Sequence, residues 1–185
     1  MYKLVPYASG NFSDSIIRAL YHRVVDEGLH STLFYDGCIT SADTFLETMQ
    51  RIDTHLFILF ANAEPAALVW LNRHQMRFMQ FHFCVFRKFW GKAAREFAPK
   101  ILSALVTLEE VGGGYILDSL MGIVPQKNKL ACRYVTKWGR VAGCLPLGAY
   151  NAQTKESEPA LIISFTREDI PEGLEYESLF EGGAG

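Results

Sequence analysis

The sequence predicts a mixed α/β fold, with a mostly antiparallel central sheet of about seven strands flanked by about four helices. Three observations predict it. Two helix-periodic segments precede three strand-length apolar runs in close succession, at 55–61, 66–72 and 78–86. A long amphipathic segment, 92–110, follows the third run with only a glycine-containing turn between. The 185 residues are 49% hydrophobic and 13% aromatic, which is enough to build a sizeable core in one domain.

Tyr2, Leu4, Val5 and Tyr7 make a short apolar strand that ends before Ser9, Gly10 and Asn11. Ser13 and Asp14 offer caps to a helix in which Ile16, Ile17, Leu20, Val24 and Leu29 recur at helical spacing, and Gly28 ends it. The loop 30–40 carries Phe34, Tyr35 and Asp36, and Ser41 caps a second helix through Phe45, Leu46 and Met49. The three apolar runs, joined by turns at 62–65 and 73–77, read as consecutive antiparallel strands. Over 92–110, Ala94, Phe97, Ile101, Leu105 and Leu108 trace one helical face. Pro99 lies inside it, and its missing N–H and ring clash predict a kink or a late helix start.

Gly112, Gly113 and Gly114 close that helix, and 115–124 returns as a strand parallel to the one before it, because a helix makes the crossover. Pro125 stops the strand. Residues 128–138 are helical, Gly139 ends that helix, and 144–150 with 160–166 form a closing pair of strands. Residues 1–170 read as a single domain, and 171–185 as an acidic, Gly-rich tail whose last residues are mobile.

Composition excludes several functions. Eighteen Lys plus Arg against 20 Asp plus Glu leave a charge of -2, so the chain lacks the basic face of a general nucleic-acid binder. Cys38, Cys84, Cys132 and Cys144 form no CxxC pair and read as reduced, mostly buried thiols, and neither Cys nor His positions make a metal cluster. The first ten residues lack signal-peptide character, and Asn62, Glu64 and Pro65 break the longest apolar stretch, so no membrane span is expected. The expected setting is cytoplasmic.

Two local motifs carry a family resemblance. The first is Val85-Phe86-Arg87-Lys88-Phe89-Trp90-Gly91-Lys92-Ala93-Ala94, a strand end running through a glycine turn into a helix. The second is Gly122-Ile123-Val124-Pro125-Gln126-Lys127-Asn128, followed by Ala131 and Trp138-Gly139. Together with the element order, these resemble the GNAT superfamily of acyl-CoA-dependent N-acetyltransferases, and more weakly the GNAT-like proteins encoded among phage structural genes. The resemblance implies a cofactor, acetyl-CoA (coenzyme A). Its pyrophosphate would be held by backbone N–H groups over Trp90, Gly91, Lys92, Ala93, Ala94 and Arg95, with Asn128 on the later motif. The strand Phe83, Cys84 and Val85 would pair with the pantetheine arm. Two departures are visible. Trp90 stands where the family usually has Arg or Gln, and Arg95 stands at its last small residue. The basic cluster Arg87, Lys88, Lys92 and Arg95 fits a phosphate end or, alternatively, a solvated turn.

The implied activity is acetyl transfer to a primary amine of a small molecule or protein, with a homodimer left open. The family's usual acid Tyr position falls on Val135. Tyr134 is one residue earlier, about 100° away around a helix, and is the catalytic candidate there. His82 is the candidate base, since an imidazole titrates near neutrality; the alternative is a buried, hydrogen-bonded histidine. Phe34, Tyr35, Asp36 and Trp70 form an aromatic, acid-edged wall suited to a cationic amine, or else the rim of the core. The alternative function is a catalytically inactive binding or assembly module.

Overall fold

The computed structural model describes residues 2–8, 11–176 and 179–180. These residues form seven strands and five α-helices: β1 Tyr2–Pro6, α1 Asp14–Asp26, α2 His30–Leu33, α3 Ala42–Met49, β2 His55–Ala61, β3 Glu64–Gln75, β4 Phe78–Val85, α4 Lys92–Val106, β5 Ser119–Pro125, α5 Lys129–Val135, β6 Arg140–Asn151 and β7 Glu156–Thr166. They build one sheet in the order β1-β2-β3-β4-β5-β7-β6, antiparallel everywhere except between β4 and β5. Fold class and strand count match the expectation.

Local chemistry explains the boundaries. Ser41 caps α3 by accepting from the Thr44 N–H at 3.1 Å, while the Thr44 hydroxyl oxygen accepts from the Ser41 N–H at 2.9 Å. Ser13 stands at the start of α1, but its hydroxyl meets Ser15 and leaves the backbone uncapped. Asn62 and Ala63 both take positive φ, so the β2–β3 connection is a two-residue turn shorter than the expected 62–65, and Pro65 lies within β3. The next strand pair differs more. β3 continues to Gln75 because Arg73 and His74 together oppose the single Met79, a bulge in which Arg73 adopts φ 52°.

Helix α4 runs through Pro99 without interruption and stops at Val106, four residues before the expected end. The segment 115–118 is a loop and not the start of β5; Arg77 holds it by donating to the Tyr115 carbonyl and to Asp118 Oδ2 at 2.7 Å. Helix α5 is shorter than expected, and β6 and β7 are longer. The short α2 was expected as loop.

The period-two alternation of the strands sorts side chains onto two cores. Leu56, Ile58, Leu68, Trp70, Cys84 and Phe86 pack under α1 and α3 with Ile17, Val24 and Phe45. Leu59, Val69, Leu71 and Met79 face α4 through Phe97, Ile101 and Leu105. Leu179 is buried in this second core and Phe180 packs against Phe57, so part of the tail is structural; the mobility expected of its last residues lies outside the described residues. Among the described residues no helix is long and apolar enough to cross a membrane. All four cysteines are free, but Cys38 and Cys144 are exposed, contrary to the expectation of mostly buried thiols.

Gly139 lets the α5–β6 turn press on β7. A Cβ there would stand 2.5 Å from the Ile163 side chain and 2.8 Å from the Ser164 carbonyl oxygen. Gly139→Ala is expected to cost about 1–3 kcal/mol in chemical denaturation, as overpacking does. Gly143→Ala, which meets no atom within 4 Å, is the near-neutral control.

Candidate active site

Strands β4 and β5 share three rungs: Phe78 with Ser119, Met79 with Leu120, and Gln80 with Met121. Beyond them β4 stays on β3 as far as Val85, β5 stays on β7 as far as Pro125, and the two edges part. The Phe81 ring occupies the angle and lies close against Gly122, where an added Cβ would stand 3.0 Å from the ring edge. A cleft of about 680 Å³ runs through the opening. Phe34, Tyr35, Asp36, Trp70 and His82 border it from the α1–α3 side; Phe83, Asn128, Tyr134 and Val135 border it elsewhere.

Eight of the candidate residues therefore meet in one space, although they come from four segments of chain. Phe34 and Trp70 are also core residues, with ring centroids 6.0 Å apart. Tyr35 fastens its loop to the β6–β7 hairpin, its carbonyl accepting from the Ala152 N–H at 2.8 Å. Asp36 is exposed at the mouth and accepts from the Cys38 N–H.

His82 lies flat on Trp70, its register partner across β3, with centroids 4.8 Å apart and planes 5° apart. Its Nε2 pairs with Asn72 Oδ1 at 3.1 Å, so Nε2 carries the proton and Nδ1 keeps the lone pair. Burial, reinforced by Arg73 and opposed by Asp36, lowers its pKa from 6.5 to about 4. The premise of an imidazole titrating near neutrality does not hold in this fold. Tyr134 stacks on Phe83 at 6.0 Å and donates its hydroxyl proton to the Ala94 carbonyl at 2.5 Å, and burial raises its pKa. It ties α5 to the first turn of α4.

The remaining candidates lie along the β4–α4 turn. Cys84 points into the core under α1, where burial pushes its thiol up to about 12, so its side chain is turned away from the cleft. Gly91 precedes α4 at φ 83°, ψ -117°, a conformation that side chains disfavour. The first helical hydrogen bond there runs from the Arg95 N–H to the Gly91 carbonyl, which leaves the N–H groups of Lys92, Ala93 and Ala94 ahead of the ladder.

The basic cluster divides. Arg87 is held by Glu27, and Lys88 forms an ion pair with Glu64; Lys92 and Arg95 are exposed and have no ion-pair partner among the described residues. Trp90 folds back on β4. Its indole N–H donates to the Val85 carbonyl at 2.7 Å, and the Arg87 guanidinium lies 4.9 Å from its ring. Asn128 caps α5 by accepting from the Ala131 N–H at 3.0 Å.

Two cleft residues escaped the sequence reading. Arg73 was assigned to a turn, and only the bulge brings it beside the cleft. Gln80 had a legible signal, as the one uncharged amide within the apolar run 78–86.

No protein-family model matches the sequence, and no curated protein does. The fold is that of the GNAT acetyltransferases. The RimL ribosomal L7/L12 alpha-N-protein acetyltransferase in complex with coenzyme A matches with a TM-score of 0.69 at 12% identity, over 91% of this chain and 95% of that one. Spermidine N-acetyltransferase from Vibrio cholerae, in complex with CoA and spermine, matches at 0.67 and 14%, over 91% and 98%. The microcin C7 self-immunity acetyltransferase MccE, in complex with acetyl-CoA and AMP, matches at 0.65 and 13%, over 83% and 88%.

The lowered His82 pKa has a measurable consequence. The unfolded chain binds a proton on this ring near pH 6.5, whereas the folded chain binds it only near pH 4. Stability is therefore expected to fall as pH drops through that window, by about 3 kcal/mol. His82→Gln should flatten this part of the melting-temperature profile.

Proposed function

We propose that this chain is an acyl-CoA-dependent N-acetyltransferase that moves an acetyl group from acetyl-CoA directly to a primary amine of a small molecule or protein. The observation that carries the reading is the cleft through the parted sheet, which has an aromatic, acid-edged wall on one face and α5, through Asn128, Ala131, Tyr134 and Val135, on the other. Bound there, acetyl-CoA supplies an activated carbonyl. The N–H groups of Lys92, Ala93 and Ala94, with the Lys92 ammonium and the Arg95 guanidinium, fit its phosphates. Gly91 leaves the approach open, since a Cβ built there meets nothing within 4 Å.

The unpaired edge of β4 over Phe83, Cys84 and Val85 offers backbone groups to an extended pantetheine arm, as it would to a neighbouring strand. Trp90 has to release the Val85 carbonyl for that arm to pair along the whole edge. As a C–N bond forms and the C–S bond breaks, one amine proton passes to the leaving sulfur, so the enzyme needs no covalent intermediate. Neutral His82 accepts a hydrogen bond through Nδ1 without storing a proton, and the acceptor must arrive as the free amine. Tyr134 first has to leave the Ala94 carbonyl before it can donate to a thiolate. Phe34, Tyr35 and Trp70 wall the acceptor chamber, and Asp36 places a negative charge at its mouth. In this reading residues 1–170 act as one catalytic unit in the cytoplasm.

A catalytically inactive binding module is the second reading. It is favoured by Trp90 and Tyr134, whose donors both sit on backbone carbonyls along the cofactor path. Calorimetric titration with acetyl-CoA and coenzyme A, followed by thiol release over amines that include spermidine and a serine-led peptide, separates the two. Binding with release is expected; folded protein that binds neither compound overturns the acyltransferase reading. Lys92→Glu combined with Arg95→Glu should weaken binding at least about tenfold. Trp90→Phe should tighten it by about 2- to 10-fold, because a competing donor for the Val85 carbonyl is gone.

A further inference from the structure

Among the described residues, four buried side-chain atoms have no hydrogen-bond partner: Gln80 Oε1, Ser103 Oγ, Trp138 Nε1 and Glu158 Oε2. The Glu158 oxygen has Lys127 Nζ at 3.5 Å to balance its charge, and neither Ser103 nor Trp138 borders the large cleft. Gln80 borders it while being only 7% exposed. Its place is set by register: it opposes Asn72 on β3 and Met121 on β5, so it stands on the last rung before the sheet opens. Strand alternation puts it on the same face as His82, which stacks on Trp70 and holds the Asn72 amide oxygen. An apolar side chain of the same shape at position 80 would spare the fold a buried acceptor without a partner.

We infer that Gln80 contacts the acceptor substrate: its amide turns so that Oε1, closed off from solvent in this structure, faces the opening where β4 and β5 part and receives an N–H of the primary amine. The inference rests on the acyl-transfer reading and adds to it a residue that aims the nucleophile. An attacking amine must turn its lone pair toward the carbonyl, so its N–H bonds point elsewhere and need acceptors in a site poor in water. A neutral amide oxygen suits that need. A carboxylate in its place would hold the amine as an ammonium ion, which has no lone pair to attack with. Glutamine therefore selects the free base, in keeping with a His82 ring that stays uncharged.

The test uses the full chain as wild type, Gln80→Met and Gln80→Glu. Three quantities are measured: melting temperature, calorimetric affinity for acetyl-CoA, and thiol-release kinetics with whichever of spermidine or a serine-led peptide the wild type acetylates. Gln80→Met is expected to melt a few degrees higher, because an unmet buried acceptor has gone. It should bind acetyl-CoA within about twofold of wild type and lose about 10- to 100-fold in kcat/KM for the amine. Gln80→Glu should move the alkaline rise of kcat/KM to higher pH, a shift that a merely structural glutamine would not cause. A lower melting temperature for Gln80→Met, or unchanged amine kinetics in both variants, overturns the inference while acetyl-CoA binding keeps the acyltransferase reading intact. Wild-type protein that binds no acetyl-CoA removes that reading, and this inference with it.

Discussion

Everything at the cleft depends on how few rungs join β4 to β5. Each strand is held along its length by its other neighbour, β4 by β3 and β5 by β7, while only three parallel pairs hold them to one another. Two well-paired half-sheets that share a short seam diverge as each follows its own twist. Phe81 against Gly122 fills the angle with a ring, so the strands do not close up again. The result is an unpaired backbone edge inside a sheet, which folded chains ordinarily avoid because open N–H and C=O groups need partners. Here the Trp90 indole covers one of those carbonyls.

The same opening sets the electrostatics. In the proposed acyltransferase reading, phosphate recognition by this nearly neutral protein falls to one helix start, where backbone N–H groups precede the first ladder bond and two exposed cations flank them. Of the other two cations of the turn, Lys88 is paired with Glu64, and the Arg87 guanidinium donates to the Glu27 backbone carbonyl. On the cleft face that carries His82 and Tyr134, burial governs: it drives the proton off His82 and holds it on Tyr134. Both residues then serve as shaped, neutral hydrogen-bonding surfaces. Gln80 extends that surface to the vertex itself.

How much was legible follows from the range of each interaction. Strand alternation, helical periodicity and glycine turns act within a few residues, so the runs at 55–61 and 78–86 and the α4 face through Phe97, Ile101 and Leu105 could be read directly. Boundaries slipped where distant groups decide them. The expected strand at 115–118 is a loop held by Arg77, which reaches from the β3–β4 turn to the Tyr115 carbonyl and to Asp118. Arg73 looked like turn residue until pairing with β4 made it a bulge. Gathering Phe34, Trp70, His82 and Tyr134 around one space was inferred from family likeness, since no local pattern links a loop, two strands and a helix.

By itself the sequence determined the succession of the main elements, the glycine-led helix start after β4, and the near-neutral charge. These are properties of neighbouring residues and of totals. Only the tertiary structure decided which donors and acceptors remain free: that Trp90 turns back onto Val85, that Tyr134 reaches Ala94, and that His82 is taken by Asn72 while Gln80 is left without a partner. The reason is physical. Hydrogen-bond satisfaction and desolvation depend on which segments meet, and in this chain the meeting place is an opening between two strands that 33 residues of connecting chain separate, from after Val85 to before Ser119.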